Sequence, residues 1–346
     1  MSTFRPLFIA RDAVTKAPAN LDTLSLSEFG KRATTTYLLT RRSDHLVRAL
    51  AEREVTVLQA HFGVEGVYIA PTAKALGVPL VTTLHGFDVT ITKKQLIASK
   101  KPSWINYVTW RASLFETGAA FVCVSEYIRR RAVEWGYPAE RTVVLPIGVD
   151  TDVIKRLPFA ERPRIVHVAR LVEVKGTADL LRAFATVRRA LPAAELIIVG
   201  DGPLRAQLGA LATELGIASA VRFLGALPHA EVLAEIGAAQ VLCLPSATAS
   251  SGAQEGLGLV LLEAAASGRP VIGTDHGGIP EAVVDGVNGY LVPERDPAAL
   301  AERLLAVLGD PALGERLGVA GRAMVEHRYD LRTQTAKLES LYQDLI

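Results

Sequence analysis

Two glutamates eight positions apart, Glu255 and Glu263, lie in the segment Gln254-Glu-Gly-Leu-Gly-Leu-Val-Leu-Leu-Glu-Ala-Ala-Ala-Ser-Gly-Arg-Pro. Glycines surround the first and an apolar run holds the second, which predicts a loop opening a helix near Gly258 that stops at Gly268 and Pro270. A helix start of this kind offers unpaired N–H groups and a positive dipole end to a phosphate. Glu255 at that mouth suits sugar hydroxyls, and Glu263, two turns further along, suits ribose hydroxyls. A capping glutamate and a helix-surface glutamate have the same spacing, so the pair needs company to carry chemistry.

The company lies at the ends of other apolar runs. His167-Val-Ala-Arg-Leu-Val-Glu-Val-Lys-Gly places the cations Arg170 and Lys175 where they could neutralise a diphosphate leaving group. Val199-Gly-Asp-Gly-Pro puts Gly202 where backbone can approach a ligand closely. His276-Gly-Gly-Ile-Pro-Glu is a further glycine turn, in which His276 reads equally well as a turn residue. In the front half Leu84-His-Gly-Phe-Asp ends a run in His85, whose imidazole could reach a sugar or phosphate, and His61 in Ala-His-Phe-Gly has a similar position. Surface cations, tight turns and core histidines would account for each piece taken singly.

The elements that would position these residues follow from hydrophobic period. Short β-branched runs at 165–169, 196–199, 221–224, 241–244, 271–272 and 290–292 alternate with segments of helical spacing, and the front half repeats this less cleanly at 7–10, 55–58, 80–84, 120–124 and 143–145. Continuous apolar strands separated by helices imply parallel sheets covered on both faces, whose ligands bind beyond the carboxyl ends of the strands. The expected fold class is therefore α/β, with two doubly wound Rossmann-like domains facing across a cleft. Their expected extents are 1–147 and 164–328, joined by a linker at 148–163, with a final helix at 329–346 that crosses back to the first domain.

A chain of 346 residues accommodates about two domains. With 49% hydrophobic and 21% charged residues it has ample side chain to bury and no tract that reads as disorder. No run reaches the length of a membrane span and no leader is read at Met1; Cys123 and Cys243 sit in apolar runs as core thiols. A cytoplasmic location is expected, at the inner face of the membrane if the acceptor is lipid-linked. Residues 1–150 carry 19 Lys and Arg against 13 Asp and Glu, too weak a bias for nucleic acid. Lys93-Lys94, Lys100-Lys101, Trp104, Tyr107, Trp110 and Arg111 mix cations with aromatics, either as an interfacial patch for peripheral membrane contact or as a solvated helix with its aromatics turned inward.

In order along residues 55–300, Ala169-Arg-Leu-Val-Glu-Val-Lys-Gly, Val199-Gly-Asp-Gly-Pro, the Glu255/Glu263 pair, His276-Gly-Gly-Ile-Pro-Glu and Asn288-Gly-Tyr-Leu-Val resemble the GT-B-fold retaining glycosyltransferases of family 4. Ala60-His-Phe-Gly with Leu84-His-Gly-Phe-Asp further resembles their colanic-acid-type exopolysaccharide branch. The resemblance implies transfer of a hexose from a UDP- or GDP-sugar to a glycan or polyprenyl-linked acceptor in polysaccharide biosynthesis, with retention and without cofactor or metal, no Asp-x-Asp being read as holding one. It implies that Arg170 and Lys175 bind the donor diphosphate and Glu255 the hexose. Gly202 and the backbone of Gly256, Leu257, Gly258 and Leu259 would lie against the donor, Glu263 at its ribose, Phe223 and Leu224 at its base, and His85 at the reaction centre. Two departures stand against it. The first forty residues contain Gly30 alone where a glycine-rich loop is usual, so the first β-α unit is expected to be degenerate or missing; Ala253 and Gly258 replace an acidic residue and a proline. A sugar-nucleotide epimerase of the same architecture and an inactive nucleotide-sugar-binding subunit are the alternatives; a nicotinamide dehydrogenase is not, since neither half opens with Gly-x-Gly-x-x-Gly.

Overall fold

Apolar runs become parallel strands throughout the computed structural model, which describes residues 7–10, 22–25, 31–160 and 162–346. Strands β1 (Leu7–Ala10) and β2 (Asp22–Ser25) pair in parallel. The residues between them, where the usual glycine-rich loop was sought, lie outside the described residues. A four-stranded sheet has the order β3 (Leu58–His61), β4 (Leu80–Leu84), β5 (Gly118–Cys123) and β6 (Thr142–Val144). The run expected at 55–58 forms its strand three residues later, because pairing with β4 begins only at Leu58 opposite Leu80.

The third sheet contains β7 (Arg164–Val168), β8 (Glu195–Val199), β9 (Val221–Gly225), β10 (Val241–Leu244), β11 (Val271–Thr274) and β12 (Gly289–Val292). Its spatial order is β12-β11-β10-β7-β8-β9 and its registered pairs are parallel. Counted within the sheet this is 3-2-1-4-5-6, the doubly wound order, and the winding reverses between β7 and β10. Ile165, Leu196, Ile198, Val241 and Ile272 are buried against Leu180, Phe184 and Leu304 of the covering helices. Both cysteines are buried in strands, and burial pushes the Cys123 thiol up to about 12, so neither is a reactive thiolate.

The chain divides into two compact units, one of Met1–Thr83, Leu96–Phe121 and Tyr342–Ile346, the other of Leu84–Gln95 and Val122–Leu341. In the first, the helices Gly63–Leu76 and Pro102–Thr117 pack together, with Asn106 donating to the Tyr68 hydroxyl at 2.9 Å. The last helix, Leu331–Leu345, ends in this unit, where the Tyr342 hydroxyl donates to Gln59 Oε1. The second unit holds the third sheet together with the segment containing His85. Among the described residues no helix is long and apolar enough to cross a membrane.

Candidate active site

The site grows from the place where β7 and β10 part. Their register runs from Ile165 opposite Val241 to Val166 opposite Leu242 and goes no further. One residue on, the His167 ring replaces the ladder: Nδ1 donates to the Cys243 carbonyl at 2.8 Å, and the Thr177 hydroxyl donates to Nε2 at 2.9 Å. Complete burial holds this imidazole neutral, down to about 4. The loops that follow the two strands thus leave from the crevice at the reversal of the winding, where open α/β sheets bind ligands.

Lys175, in the short turn Glu173–Lys175 after β7, extends Nζ to 2.6 Å from Glu255 Oε2 in the loop after β10. Ser246, two residues after β10, donates to the same oxygen at 3.1 Å. Both ends of the pair are largely covered, so the interaction is stronger than a surface ion pair. The ammonium has three donors, and the one used on Glu255 leaves two for an anion. Arg170 is exposed and pairs with no side chain among the described residues, a cation available at the same loop.

Glu255 is fixed from behind by its backbone. Its N–H donates to His276 Nε2 at 3.1 Å, and its carbonyl accepts from the Gly278 N–H at 3.0 Å. Because Nε2 accepts, the ring proton must sit on Nδ1, which donates to Glu294 Oε1 at 2.7 Å. Glu294 also accepts the Thr248 N–H at 2.7 Å. Burial pushes the Glu294 carboxyl up, but the hydrogen bonds from Thr248 and His276 outweigh it and hold the group below its usual range. The chain can pass this closely because residue 277 is glycine: a Cβ there would lie 2.3 Å from the Glu255 carbonyl oxygen, and its φ of +58° is one that side chains rarely adopt.

The other side of the loop is buttressed by segments before the third sheet. Gly256 passes so close to His85 that a Cβ would lie 2.2 Å from the His85 carbonyl oxygen, and the Ser125 hydroxyl donates to the Gly256 carbonyl at 2.6 Å. Ser125 also caps the helix Glu126–Trp135 by accepting the Ile128 N–H at 3.1 Å. Glu281 accepts the N–H groups of Glu126 and Tyr127, each at 2.8 Å. The structure therefore brings His85, Lys175, Glu255 and Gly256 to one loop.

Of the remaining expected residues, Leu259 and Glu263 line one cavity, while Phe223, Leu224 and Gly202 lie at β9 and at the turn after β8. The helix Leu259–Ala266 starts after Gly258, and Glu263 Oε1 lies 2.8 Å from His229 Nε2. Leu259, Glu263 and His229 line a cavity of about 430 Å³ with Gly148, Val149 and Asp150. Phe223, in the middle of β9, lies under the Arg205 guanidinium at 3.8 Å, with Leu224 half-buried next to it. Gly202 lies against Leu171, where a Cβ would be 2.5 Å from the carbonyl oxygen, one residue beyond Arg170. The chain does carry one Asp-x-Asp, Asp150-Thr151-Asp152, which the motif reading missed. Asp150 Oδ1 accepts the N–H groups of Asp152 and Val153 at 3.0 Å and so serves the local turn, while Asp152 pairs with Arg332 of the last helix at 2.6 Å.

Sequence reasoning missed Ser246, Glu294 and His229 and undervalued His276. Ser246 had a usable signal, since it lies two residues after the end of a strand. Glu294 had none, because its partners are 18 and 46 residues away.

Residues 150–324 match the family described as glycosyl transferases group 1, and residues 22–153 match glycosyltransferase family 4. The chain is 31% identical over 315 residues, 86% of its length and 79% of the relative's, to a GDP-mannose-dependent alpha-(1-6)-phosphatidylinositol monomannoside mannosyltransferase of Mycolicibacterium smegmatis. It is 34% identical over 297 residues, 84% of its length and 70% of the relative's, to the putative colanic acid biosynthesis glycosyltransferase WcaL of Escherichia coli. Its fold is that of Anabaena HepE solved with UDP-glucose, with a TM-score of 0.75 at 22% identity over 94% of this chain and 86% of that one. The sucrose-phosphate synthase of Thermosynechococcus elongatus gives a TM-score of 0.77 at 22% identity over 98% and 88%. With its ordered glycine, cation and carboxylate motifs gathered at the reversal of a doubly wound sheet, the chain belongs to the group 1, family 4 glycosyltransferases, of GT-B fold.

Proposed function

We propose that the protein transfers a hexose from a nucleoside diphosphate sugar to a glycan or polyprenyl-linked acceptor, with retention at the anomeric carbon and without a metal ion. The observation that carries this is the Lys175–Glu255 pair at 2.6 Å, at the point where the winding of the third sheet reverses. Glu255 there can hold sugar hydroxyls while the two remaining donors of Lys175, with Arg170, meet the diphosphate. The helix start at Leu259 adds N–H groups for the phosphates, and Glu263 accepts from the ribose. Relatives that use GDP-mannose, and a fold neighbour solved with UDP-glucose, support a GDP- or UDP-hexose as donor. The phosphatidylinositol and colanic acid relatives support an acceptor built on a lipid or a glycan, met at a membrane face.

In this reading the bond from the anomeric carbon to the diphosphate oxygen breaks as the acceptor oxygen bonds to the same face. The acceptor proton passes to a departing phosphate oxygen, whose charge Arg170 and Lys175 stabilise, and His85 lines the reacting face. Preorganised cations of this kind lower a barrier by about 3 kcal/mol each. Incubation with a panel of UDP- and GDP-hexoses, read by thermal shift and by proton NMR of the released sugar, tests it. A melting-temperature rise with one donor and slow release of the sugar with its donor configuration are expected. Binding without any release would support the inactive binding subunit instead, and epimerisation of the bound donor would support the epimerase.

A further inference from the structure

We propose that Glu173 and Arg295 are positioning residues, which clasp the middle of the loop after β10 and so fix the Glu255 carboxylate against Lys175. The proposal rests on the donor-site reading above. The loop needs holding, because Ala247-Thr-Ala-Ser-Ser-Gly-Ala253 has only small side chains with which to anchor itself. Three successive residues of the turn after β7 hold it. Glu173 accepts the Ser250 N–H at 2.9 Å on Oε1 and the Ser250 hydroxyl at 2.6 Å on Oε2. These two hydrogen bonds, the hydroxyl first, hold the Glu173 carboxyl below its usual range. The Val174 carbonyl accepts the Ala247 N–H at 2.9 Å, and Lys175 reaches Glu255. Gly176 lets the two segments touch, since a Cβ there would lie 1.7 Å from the Pro245 carbonyl oxygen.

Arg295 closes the clasp from beyond β12. Its guanidinium donates to the Thr248 carbonyl at 2.6 Å while Glu294 accepts the Thr248 N–H, so adjacent residues grip both backbone groups of Thr248. Arg295 Nη2 also lies 3.9 Å from Glu173 Oε1, which links the two grips. Arg295 has a φ of +58°, a left-handed conformation that an arginine keeps only where its surroundings enforce it. Both side chains are exposed, and a surface ion pair adds little to stability. The strained backbone therefore serves the aim of the guanidinium at the loop more than it serves the fold.

Donor hydrolysis without acceptor, measured with the panel of UDP- and GDP-hexoses, tests this in the wild type, Glu173→Ala, Arg295→Gly and the double variant. Each single variant is expected to lower kcat about tenfold with KM changed far less, because a slightly misplaced group costs most in the transition state. The double variant is expected to lose little more than either one, since both residues hold one segment. Arg295→Gly relieves the left-handed φ and is expected to melt no lower than the wild type, so its loss of kcat is not a loss of fold. Amide exchange at Thr248 and Ser250 is expected to quicken in both single variants. In an active protein, unchanged kcat or unchanged exchange in the single variants, a lower melting temperature that accompanies the kcat loss in Arg295→Gly, or losses that multiply in the double variant would overturn this proposal alone. A wild-type protein that hydrolyses none of the donors would overturn it together with the donor-site reading.

Discussion

Lys175 Nζ and Glu255 Oε2 lie 2.6 Å apart although 80 residues separate them in the chain. They meet because β7 and β10 are neighbours at the reversal of the sheet and each feeds its following loop into the same crevice. Replacing Lys175 removes the cation nearest the expected diphosphate and leaves a largely covered carboxylate without it. Lys175→Ala is expected to lower turnover about a hundredfold. The melting temperature is expected to fall by only a few degrees, as for a loss of about 1 kcal/mol in a unit of this size. Steady-state transfer assays and calorimetric melting check the two outcomes.

His276 holds the Glu255 N–H through an accepting Nε2 and reaches Glu294 through a donating Nδ1. An asparagine amide also offers one acceptor and one donor, whereas phenylalanine offers neither. His276→Phe is expected to lower kcat/KM by about tenfold or more, the effect of one lost hydrogen bond at a positioned group. His276→Asn is expected to recover most of that. Equal losses in both variants would mean that ring packing, and not the hydrogen-bond relay, holds the loop.

Much of this arrangement could be read in advance, and the exceptions share a cause. The strands of the third sheet are short apolar runs buried on both faces, which period alone reveals. β2, Asp-Thr-Leu-Ser, has no such run and escaped notice. Arg170, Lys175, Gly202 and Glu255 were legible because each lies in a glycine-containing loop beyond the carboxyl end of a strand. The relay from Glu294 through His276 to Glu255 was not, since it is assembled by β11 and β12 lying side by side. The Glu263–His229 contact likewise joins the middle of one helix to the start of another, 34 residues apart.

Glu263 and His229 share a cavity wall with Asp150. If Glu263 accepts from ribose hydroxyls, Glu263→Ala removes hydrogen bonds to a charged acceptor, about 2 kcal/mol, and is expected to weaken donor binding by roughly thirtyfold. The effect should fall on KM more than on kcat, as for an interaction present equally in ground and transition states. Isothermal titration with the nucleoside diphosphate alone checks it, because the ribose is retained while the hexose is absent.

The buried His167 gives stability a defined pH dependence. Its folded value, about 4, lies below the ordinary value of 6.5, so between these the unfolded chain binds a proton that the folded chain does not. Stability is then fully present above pH 6.5 and is lost as the pH falls toward 4, by roughly 3 kcal/mol from this group. Urea unfolding at pH 7.0 and pH 4.5 is expected to reveal the loss. His167→Asn, which can still donate to Cys243 and accept from Thr177 but does not titrate, is expected to lose less over the same interval.

The most direct measurement of the central claim is a paired one on the wild-type protein and Lys175→Ala: calorimetric titration with the preferred nucleotide sugar, and the rate at which that donor is hydrolysed without acceptor. The account predicts that the wild type binds and slowly hydrolyses the donor, and that Lys175→Ala, still folded, loses about two orders of magnitude in hydrolysis. Donor binding and hydrolysis that are both unchanged in folded Lys175→Ala would contradict the assignment of this crevice as the donor site.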